Sequence, residues 1–223
     1  MAERICFIHT VPSLVQRFGS LLRDALPTID TFHVVDESLL QDLLKSGPRP
    51  AITSRIVRHV ELAKDAGATT IVFTCSSTSP AVDVARHVVD IPIIKVDDPM
   101  ALEAVSHGER IGVLCTTSST VEPSQTLLAS HAAAANRNKV TIDVKLVDGA
   151  FDALRQGNQD IHDQLVTEAA ISLAENCDTI VLAQASLAHL RDDLEQKLQR
   201  RVLSSPKPLM AELVRRFASE AQK

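Results

Sequence analysis

The sequence predicts an α/β protein of two pseudosymmetric lobes, each with a four-stranded parallel sheet flanked by helices. Two observations predict this fold. Short β-branched runs alternate with longer amphipathic stretches along all 223 residues, and the order of these segments occurs twice. Such alternation is typical of parallel strands joined by helical crossovers. The strand segments are apolar almost throughout, which indicates burial on both faces of a sheet.

Short segments rich in Val, Ile and Thr are predicted as strands. In chain order they are Arg4–Ile8, Thr31–Val35, Thr69–Phe73, Pro92–Lys95, Arg110–Leu114, Thr141–Leu146, Thr179–Ala183 and Arg201–Leu203. Between them, apolar residues recur at the spacing of a helix that packs on a sheet. The predicted helices include Ile52–Ala66, Pro80–Val89, Met100–His107, Ile161–Glu175 and Met210–Ala221.

The two halves of the chain also resemble each other in sequence. The matched pairs are Glu3–Thr10 with Glu109–Thr116, Thr28–Asp36 with Thr141–Asp148, and Thr70–Phe73 with Thr179–Leu182. Because the matches keep their order at a nearly constant spacing, they indicate an internal duplication. They divide the chain into a first lobe, residues 1–97, and a second lobe, residues 98–205. The predicted C-terminal helix, Pro206–Lys223, is assigned to the first lobe.

The composition is that of an ordinary globular protein, with 45% hydrophobic and 23% charged residues. The formal net charge is −5 and the chain has neither Trp nor Tyr, so a surface for nucleic acid is not expected. No apolar run approaches the roughly 20 residues of a membrane-spanning helix, and no signal-peptide pattern opens the sequence. We therefore expect a cytoplasmic protein without nucleic-acid or membrane partners.

The cysteines, Cys6, Cys75, Cys115 and Cys177, are widely spaced and form no CxxC pair. The spacing of a zinc site is therefore absent, and no metal is predicted. In a reducing cytoplasm the cysteines are expected to be free thiols. Cys6 and Cys115 lie within or at the end of apolar runs and are interpreted, together with Cys177, as buried small hydrophobic residues.

Loops rich in hydroxyl groups follow four predicted strands, at residues 9–13, 74–79, 116–120 and 184–186. Ligands of parallel α/β sheets bind beyond the carboxyl ends of the strands, where loop N–H groups and hydroxyls bind anions. Neither GxGxxG nor GxxxxGK[ST] is present, so we expect a small carboxylate and no nucleotide cofactor. The alternative is that these hydroxyls only cap helices. The candidate substrate-binding residues are His9, Thr10, Ser76, Ser77, Thr78, Thr116, Thr117 and Ser186.

Cys75 is the candidate catalytic residue. It directly follows a predicted buried strand and precedes the predicted helix Pro80–Val89. A helix N-terminus stabilises a thiolate, and a thiolate acts as a base or nucleophile without a cofactor. The alternative is a buried, inert cysteine. The internal match pairs Cys75 with Gln184, so the two residues would lie opposite each other if the lobes face each other across a cleft.

Several segments are similar to the aspartate/glutamate/hydantoin racemase superfamily. Thr74–Thr78 resembles its first cysteine motif, and Ile180–Ser186 stands where the second belongs. Ile111–Val121 and Leu203–Pro206 resemble its mid-chain and late segments. The resemblance implies an active site in the cleft between two lobes and a homo-oligomer, dimeric or higher. It also implies cofactor-independent proton transfer at the carbon next to a carboxylate. It extends to the arylmalonate decarboxylases and maleate isomerases, which share the fold.

The chain departs from the superfamily at one position. In the racemases two cysteines face opposite sides of the substrate carbon. Cys75 matches the first, but Gln184 stands in place of the second, and an amide neither gives nor takes a proton at neutral pH. His189 or His9 could supply the second acid, or Gln184 could bind the substrate as part of an oxyanion site.

Three functions are consistent with these residues. The leading hypothesis is a cofactor-independent racemase or epimerase, with Cys75 moving the proton and Gln184 at the second catalytic position. The second hypothesis is a one-cysteine decarboxylase, lyase or cis-trans isomerase on the same scaffold. The third is a catalytically silent protein that binds small carboxylates.

Overall fold

The structure of the protein, a computed structural model, describes residues 3–220. Its strands form two sheets of four parallel strands each, which confirms the predicted α/β fold. The strands are β1 (Arg4–His9), β2 (Asp30–Val35), β3 (Thr70–Phe73), β4 (Ile93–Lys95), β5 (Arg110–Cys115), β6 (Thr141–Leu146), β7 (Thr179–Leu182) and β8 (Arg201–Ser204). The first sheet has the order β2-β1-β3-β4, and the second has the order β6-β5-β7-β8.

Helices connect the strands in both sheets. They are α1 (Ser13–Ala25), α2 (Glu37–Ser46), α3 (Pro50–Asp65), α4 (Ser79–Ala85), α5 (Asp98–His107), α6 (Ser118–Ala134), α7 (Ala150–Arg155), α8 (Gln159–Ala174), α9 (Arg191–Leu198) and α10 (Pro206–Glu220). The end of the last predicted helix, towards Ala221 and Lys223, lies outside the described residues. None of the helices in the described part of the chain combines the length and hydropathy that a membrane span requires.

The chain divides into two compact units. Unit 1 runs up to Val96 and resumes at Leu209, and unit 2 is Asp97–Pro208. Helix α10 therefore begins in unit 2 and continues in unit 1, where Leu213 and Phe217 are buried. The predicted active site between two lobes stays a prediction.

The two sheets share not only strand order but also register. Ile5 of β1 pairs with Thr70 of β3, and Ile111 of β5 pairs with Thr179 of β7. These four residues are the ones that the internal sequence match makes equivalent. The residue that follows β3 by two positions, Cys75, is thus the structural counterpart of Gln184, which follows β7 by two positions.

Burial explains why the strands were recognisable in the sequence. The central strands β1, β3, β5 and β7 are buried along almost their whole length, whereas β2 and β6 lie at sheet edges and are largely half-buried or exposed. Gly112 in β5 allows a close approach of helix α8, because a Cβ there would lie 2.6 Å from Leu173 Cγ. A parallel sheet covered on both faces needs such close contacts between helix and strand.

Local sequence signals set several helix ends. Pro residues stand in the first turn of α3, α4 and α5, where a missing N–H costs nothing and the fixed φ suits a helix. The Asp36 carboxylate caps α2 by accepting from the Ser38 N–H at 3.1 Å. Helix α2 ends at Ser46 and is followed by Gly47, whose φ of 67° is a conformation that favours glycine.

The helix predicted over Pro80–Val89 starts one residue earlier than expected and ends four residues earlier. A 3₁₀ turn, Ser76–Thr78, comes first, and α4 then covers only Ser79–Ala85. The Thr78 side chain closes this turn, because its Oγ1 donates to the Cys75 carbonyl at 2.7 Å. After α4 the chain is tied to the sheet through Arg86 Nε, which donates to the Ile93 carbonyl at 3.0 Å. The thiol of Cys75 thus precedes a 3₁₀ turn rather than a long helix.

Candidate functional site

In unit 1, the carboxyl ends of the two central strands bring the first group of candidate residues together. Strands β1 and β3 are neighbours, with Ile8 beside Phe73, so the chain beyond each strand continues side by side. The Thr74 N–H donates to the Ile8 carbonyl at 3.1 Å and extends this pairing by one residue. Cys75 follows with extended backbone and is half-buried. This edge is where parallel sheets bind ligands.

His9, which ends β1, bonds to protein groups through both ring nitrogens. Its Nδ1 lies 2.8 Å from Thr74 Oγ1, and its Nε2 lies 2.9 Å from His33 Nδ1. The ring is fully buried and stacks near Phe7 and Phe18. Burial, together with the neighbouring His33, lowers the pKa of His9 to about 4. The ring is thus neutral at pH 7, and its contacts hold Thr74, the residue before Cys75, instead of presenting a nitrogen to a ligand.

Acid is expected to destabilise the fold through His9. Its pKa is about 4 in the folded protein and about 6.5 in an unfolded chain. Between these values the unfolded chain binds the additional proton, so stability is lost as the pH falls through this window. From pH 7 to pH 5 the free energy of unfolding should fall by about 2 kcal/mol through His9 alone. Urea unfolding at both pH values measures this loss.

A pair of variants separates His9 from the other titrating groups. The His9→Gln variant has no ionisable ring, so it should show a smaller loss of stability between pH 7 and pH 5 than the parent chain. The matched control is His87→Gln. His87 is exposed, so its replacement should leave the loss of stability between pH 7 and pH 5 unchanged. If His9→Gln and the parent chain lost the same free energy of unfolding between pH 7 and pH 5, the assignment of His9 as a buried neutral ring would be wrong.

In unit 2, Gln184 occupies the position equivalent to Cys75, and its amide is held in one orientation. Its Oε1 accepts from the Thr116 N–H at 2.6 Å and from Thr116 Oγ1 at 2.8 Å. A backbone N–H can only donate, so the atom that faces Thr116 is the amide oxygen. The Nε2 group of Gln184 therefore points away from this pair of donors, and its two N–H groups are directed elsewhere.

Thr10 in unit 1 is the counterpart of Thr116 in unit 2. The Thr116 hydroxyl bonds to Gln184, whereas Thr10 Oγ1 is buried and has no hydrogen-bond partner among the described residues. A buried hydroxyl without a partner is costly unless a ligand or water satisfies it. Of the hydroxyls predicted to bind substrate, Thr10 thus has the clearest structural sign of a missing ligand.

Comparison with known proteins decides the family. A model of the Asp/Glu/hydantoin racemase family matches residues 9–213, which is nearly the whole chain and includes both strand-end positions. The chain belongs to the Asp/Glu/hydantoin racemase family. The protein is therefore an enzyme of the isomerase class, as the sequence resemblance implied. No match is found among curated proteins.

Several solved racemase structures have the same fold as this protein. A glutamate racemase from Bacillus anthracis is 18% identical, with a TM-score of 0.77 over 98% of this chain and 82% of that one. An allantoin racemase from Klebsiella pneumoniae is 15% identical, with a TM-score of 0.71 over 99% and 89% of the two chains. The aspartate racemase of Picrophilus torridus is 13% identical, with a TM-score of 0.71 over 96% and 94%. The TM-scores show a common fold, and at identities this low the likeness shows the fold alone.

Cys75 differs from the other three thiols of this racemase-family protein in its exposure. Cys6, Cys115 and Cys177 are buried, whereas Cys75 is half-buried. Burial raises the pKa of the Cys6 and Cys115 thiols to about 12, and it also raises the pKa of Cys177. The three thiols therefore stay protonated and shielded at pH 7, which leaves Cys75 as the thiol with access to solvent and ligands.

Iodoacetamide at pH 7 is expected to modify Cys75 before the other cysteines. The thiolate is the reactive form, and the raised pKa and the burial of Cys6 and Cys115 suppress their reaction by a factor of at least about 10². Mass spectrometry of peptides gives the rate at each cysteine. In urea all four should react, which controls for detection. Equal rates at Cys75 and Cys177 in the folded protein would contradict this assignment.

The remaining candidate hydroxyls differ in what they contact. Ser76, Ser77 and Thr78 are buried in the 3₁₀ turn after Cys75, with Thr78 closing it. The Thr117 hydroxyl pairs with Thr120 Oγ1 at 2.7 Å at the start of α6, and it makes no capping bond to the described backbone of that helix. Ser186 is half-buried in a second 3₁₀ turn, Ala185–Leu190.

Sequence reasoning missed His33 and the role of Thr74. His33 lies in the middle of β2, and only the parallel register, which sets Phe7 beside His33, brings it to the ring of His9. A histidine between the apolar residues Phe32 and Val34 was the available signal. His189, considered above as a second acid, lies instead against Asp163, with its Nε2 2.9 Å from Asp163 Oδ1.

Proposed function

We propose that this racemase-family enzyme transfers a proton, without a cofactor, at the carbon next to the carboxylate of a small substrate. The observation that carries the proposal is the position of Cys75. It is the accessible one of the four thiols, and it lies two residues beyond the central strand β3, whose carboxyl end is lined by hydroxyl groups. A thiolate in such a place acts as a general base. Cys75 takes the proton from the substrate carbon, and the C–H electron pair moves towards the carboxylate to give an enolate.

Neutral donors, rather than charged ones, stabilise the substrate in this proposal. The buried Thr10 hydroxyl has no partner among the described residues and is assigned to the substrate carboxylate. Ser76 and Ser77 add hydroxyls and backbone amides beyond β3, whereas Thr116 acts through Gln184, whose Oε1 it holds. Hydrogen-bond donors that are fixed before the reaction stabilise developing negative charge without reorganising.

Gln184 is assigned to substrate binding rather than to proton transfer. Thr116 holds its Oε1, so its Nε2 is the group available to donate to an oxygen of the substrate. The assignment of Gln184 and Cys75 to one substrate rests on their equivalent places in the duplicated fold and on the family resemblance. His9 is assigned to positioning, since its ring bonds Thr74 and His33.

A one-base enzyme is the second candidate function, and the held amide of Gln184 favours it. Racemisation needs an acid on the face opposite the base, and an amide cannot fill that role. A decarboxylase or a cis-trans isomerase needs only one proton delivered to one face. Cys75 would then donate a proton to the enolate after loss of carbon dioxide, or add to a double bond and leave it after rotation.

Four further expectations become part of the proposal. The substrate is a small carboxylate such as an amino acid or a related acid, the protein acts in the cytoplasm, and it works as a homo-oligomer. Neither nucleic acid nor a membrane is a partner. Size-exclusion chromatography with light scattering gives the oligomeric state.

The proposal is tested by incubation in heavy water with amino acids, hydantoins, arylmalonates and maleate, whose conversion to fumarate proton NMR also reports. Proton NMR reports exchange of the C–H next to the carboxylate, polarimetry reports loss of chirality, and gas evolution reports decarboxylation. Exchange with loss of chirality supports the racemase. Exchange with retention, or release of carbon dioxide, supports the one-base enzyme. Binding by thermal shift without exchange or product would overturn both and leave the silent carboxylate-binding protein.

A further inference from the structure

Unit 2 contains a cluster of two histidines and an aspartate that lies outside the proposed reaction. His162 and Asp163 are in α8, and His189 is in the 3₁₀ turn Ala185–Leu190. One potential ligand atom from each of the three residues lies within 4.8 Å of the other two. Asp163 Oδ1 is 2.6 Å from His162 Nδ1 and 2.9 Å from His189 Nε2. Three groups that can bind a metal ion thus converge from two separate elements.

The contacts of His189 show which of its nitrogens faces the cluster. Its Nδ1 lies 2.9 Å from the Ser186 carbonyl, which only accepts, so Nδ1 carries the hydrogen. The other nitrogen, Nε2, faces the two Asp163 oxygens at 2.9 Å and 3.0 Å, where a proton or a metal ion can join the two groups. Two electron-rich groups at this distance are stabilised by a cation between them. A carbonyl that holds the far nitrogen is the usual support of a metal-bound imidazole.

His162 supplies the buried side of the cluster. Its side chain has no exposed surface, and its Nε2 is buried without a hydrogen-bond partner among the described residues. Its polar contacts are therefore made through Nδ1, towards Asp163 and the Gln159 amide. The Gln159 amide nitrogen also lies 2.7 Å from Asp163 Oδ1. A half-turn of this amide would bring its oxygen into the cluster as a fourth ligand.

We propose that His162, Asp163 and His189 form a binding site for a divalent transition-metal ion of the Zn²⁺ type. Two imidazole nitrogens with one carboxylate suit zinc and its neighbours, whereas Mg²⁺ and Ca²⁺ prefer sites built from oxygen. The ion can enter from solvent, because the His189 and Asp163 side chains are 40% and 26% exposed. The site is independent of the proposed proton transfer and of Cys75.

A bound ion would link helix α8 to the 3₁₀ turn that follows Gln184. The two elements are far apart in sequence, and the link would hold the turn in the arrangement that also places Ser186. The expected role is therefore structural. An ion that binds only the folded chain raises its thermal stability as its concentration exceeds the Kd.

The test is a zinc titration of the untagged, full-length protein after treatment with EDTA. Equilibrium dialysis with metal analysis should show one tightly bound Zn²⁺ per chain, and isothermal titration gives the Kd. Mg²⁺ should not compete. The His189→Ala and Asp163→Asn variants should each weaken binding by at least about tenfold. The melting temperature of the parent chain should rise by several degrees with excess Zn²⁺, and that of the variants should rise less.

Two control variants test whether Zn²⁺ binding depends on this cluster. The His107→Ala variant removes an exposed histidine of the same unit and should bind Zn²⁺ as the parent does. The Cys75→Ser variant should also bind Zn²⁺ normally, so failure of the reaction mechanism and failure of this site give different results. The proposal is overturned if His189→Ala binds Zn²⁺ as tightly as the parent, if Cys75→Ser loses binding, or if the parent does not bind Zn²⁺.

Discussion

Replacing Cys75 by serine is expected to lower the rate of C–H exchange by about 10³-fold or more. A serine hydroxyl keeps the shape of the thiol but does not ionise near neutral pH, so the base is lost while the 3₁₀ turn Ser76–Thr78 is kept. The turn is closed through the Cys75 carbonyl, which accepts from the Thr78 hydroxyl and is unchanged by the substitution. The measurement is the exchange rate in heavy water with whichever substrate the screen identifies.

The matched control for this variant is Cys177→Ala. Cys177 is buried in the core of unit 2 and burial raises its pKa, so its replacement should change the exchange rate by less than about threefold even if stability falls. The melting temperature of Cys75→Ser should stay near that of the parent. Retention of full activity by a folded Cys75→Ser protein would exclude the thiolate mechanism.

Two substitutions at Gln184 are expected to separate its structural role from its role towards substrate. Gln184→Leu removes the acceptor of the Thr116 N–H and hydroxyl, both buried, and should cost about 1–3 kcal/mol of stability. Gln184→Glu keeps an oxygen for Thr116 but replaces the amide N–H groups by a negative charge. It should fold almost as stably as the parent, and its kcat/KM for a carboxylate substrate should fall by about 10² or more.

Urea unfolding and steady-state kinetics on both variants test this pair. Both variants lack the amide donor of Gln184. The difference between their free energies of unfolding therefore measures the contribution of the side-chain oxygen that accepts from Thr116. A stable Gln184→Glu protein with unchanged kcat/KM would show that Nε2 does not meet the substrate. An equal loss of stability in both variants would contradict the orientation in which Thr116 holds the amide.

The sequence was most informative where one signal determines one element. The apolar runs of β3 and β7, Thr70–Phe73 and Thr179–Leu182, are buried on both faces, so nothing competes with their β propensity and their bounds were predicted within a residue. The repeat was visible because both copies keep the same order and register. Cys75 and Gln184 fell at equivalent positions for the same reason.

The remaining features depend on contacts between distant residues. His33 meets His9 only through the parallel pairing of β1 and β2, and nothing in the local sequence of either strand encodes that contact. The C-terminal end of α4 was overestimated because the chain after Ala85 forms tight turns, with the His87 N–H donating to the Val84 carbonyl and the Val88 N–H to the Ala85 carbonyl, and helical spacing does not reveal them. Asp163 and His189 come from separate elements, so the cluster was not visible as a motif.

The discontinuity of unit 1 has a consequence for how the protein folds. All residues of unit 2, Asp97–Pro208, are consecutive, whereas unit 1 needs residues from Leu209 onward in addition to those before Val96. During synthesis, unit 2 can therefore fold as soon as it leaves the ribosome, while the earlier segment waits for α10. Closing unit 1 joins residues that are distant in sequence, which slows folding. Unit 1, with Cys75, is thus the later part to become native and the part more exposed to chaperones and proteases in the interval.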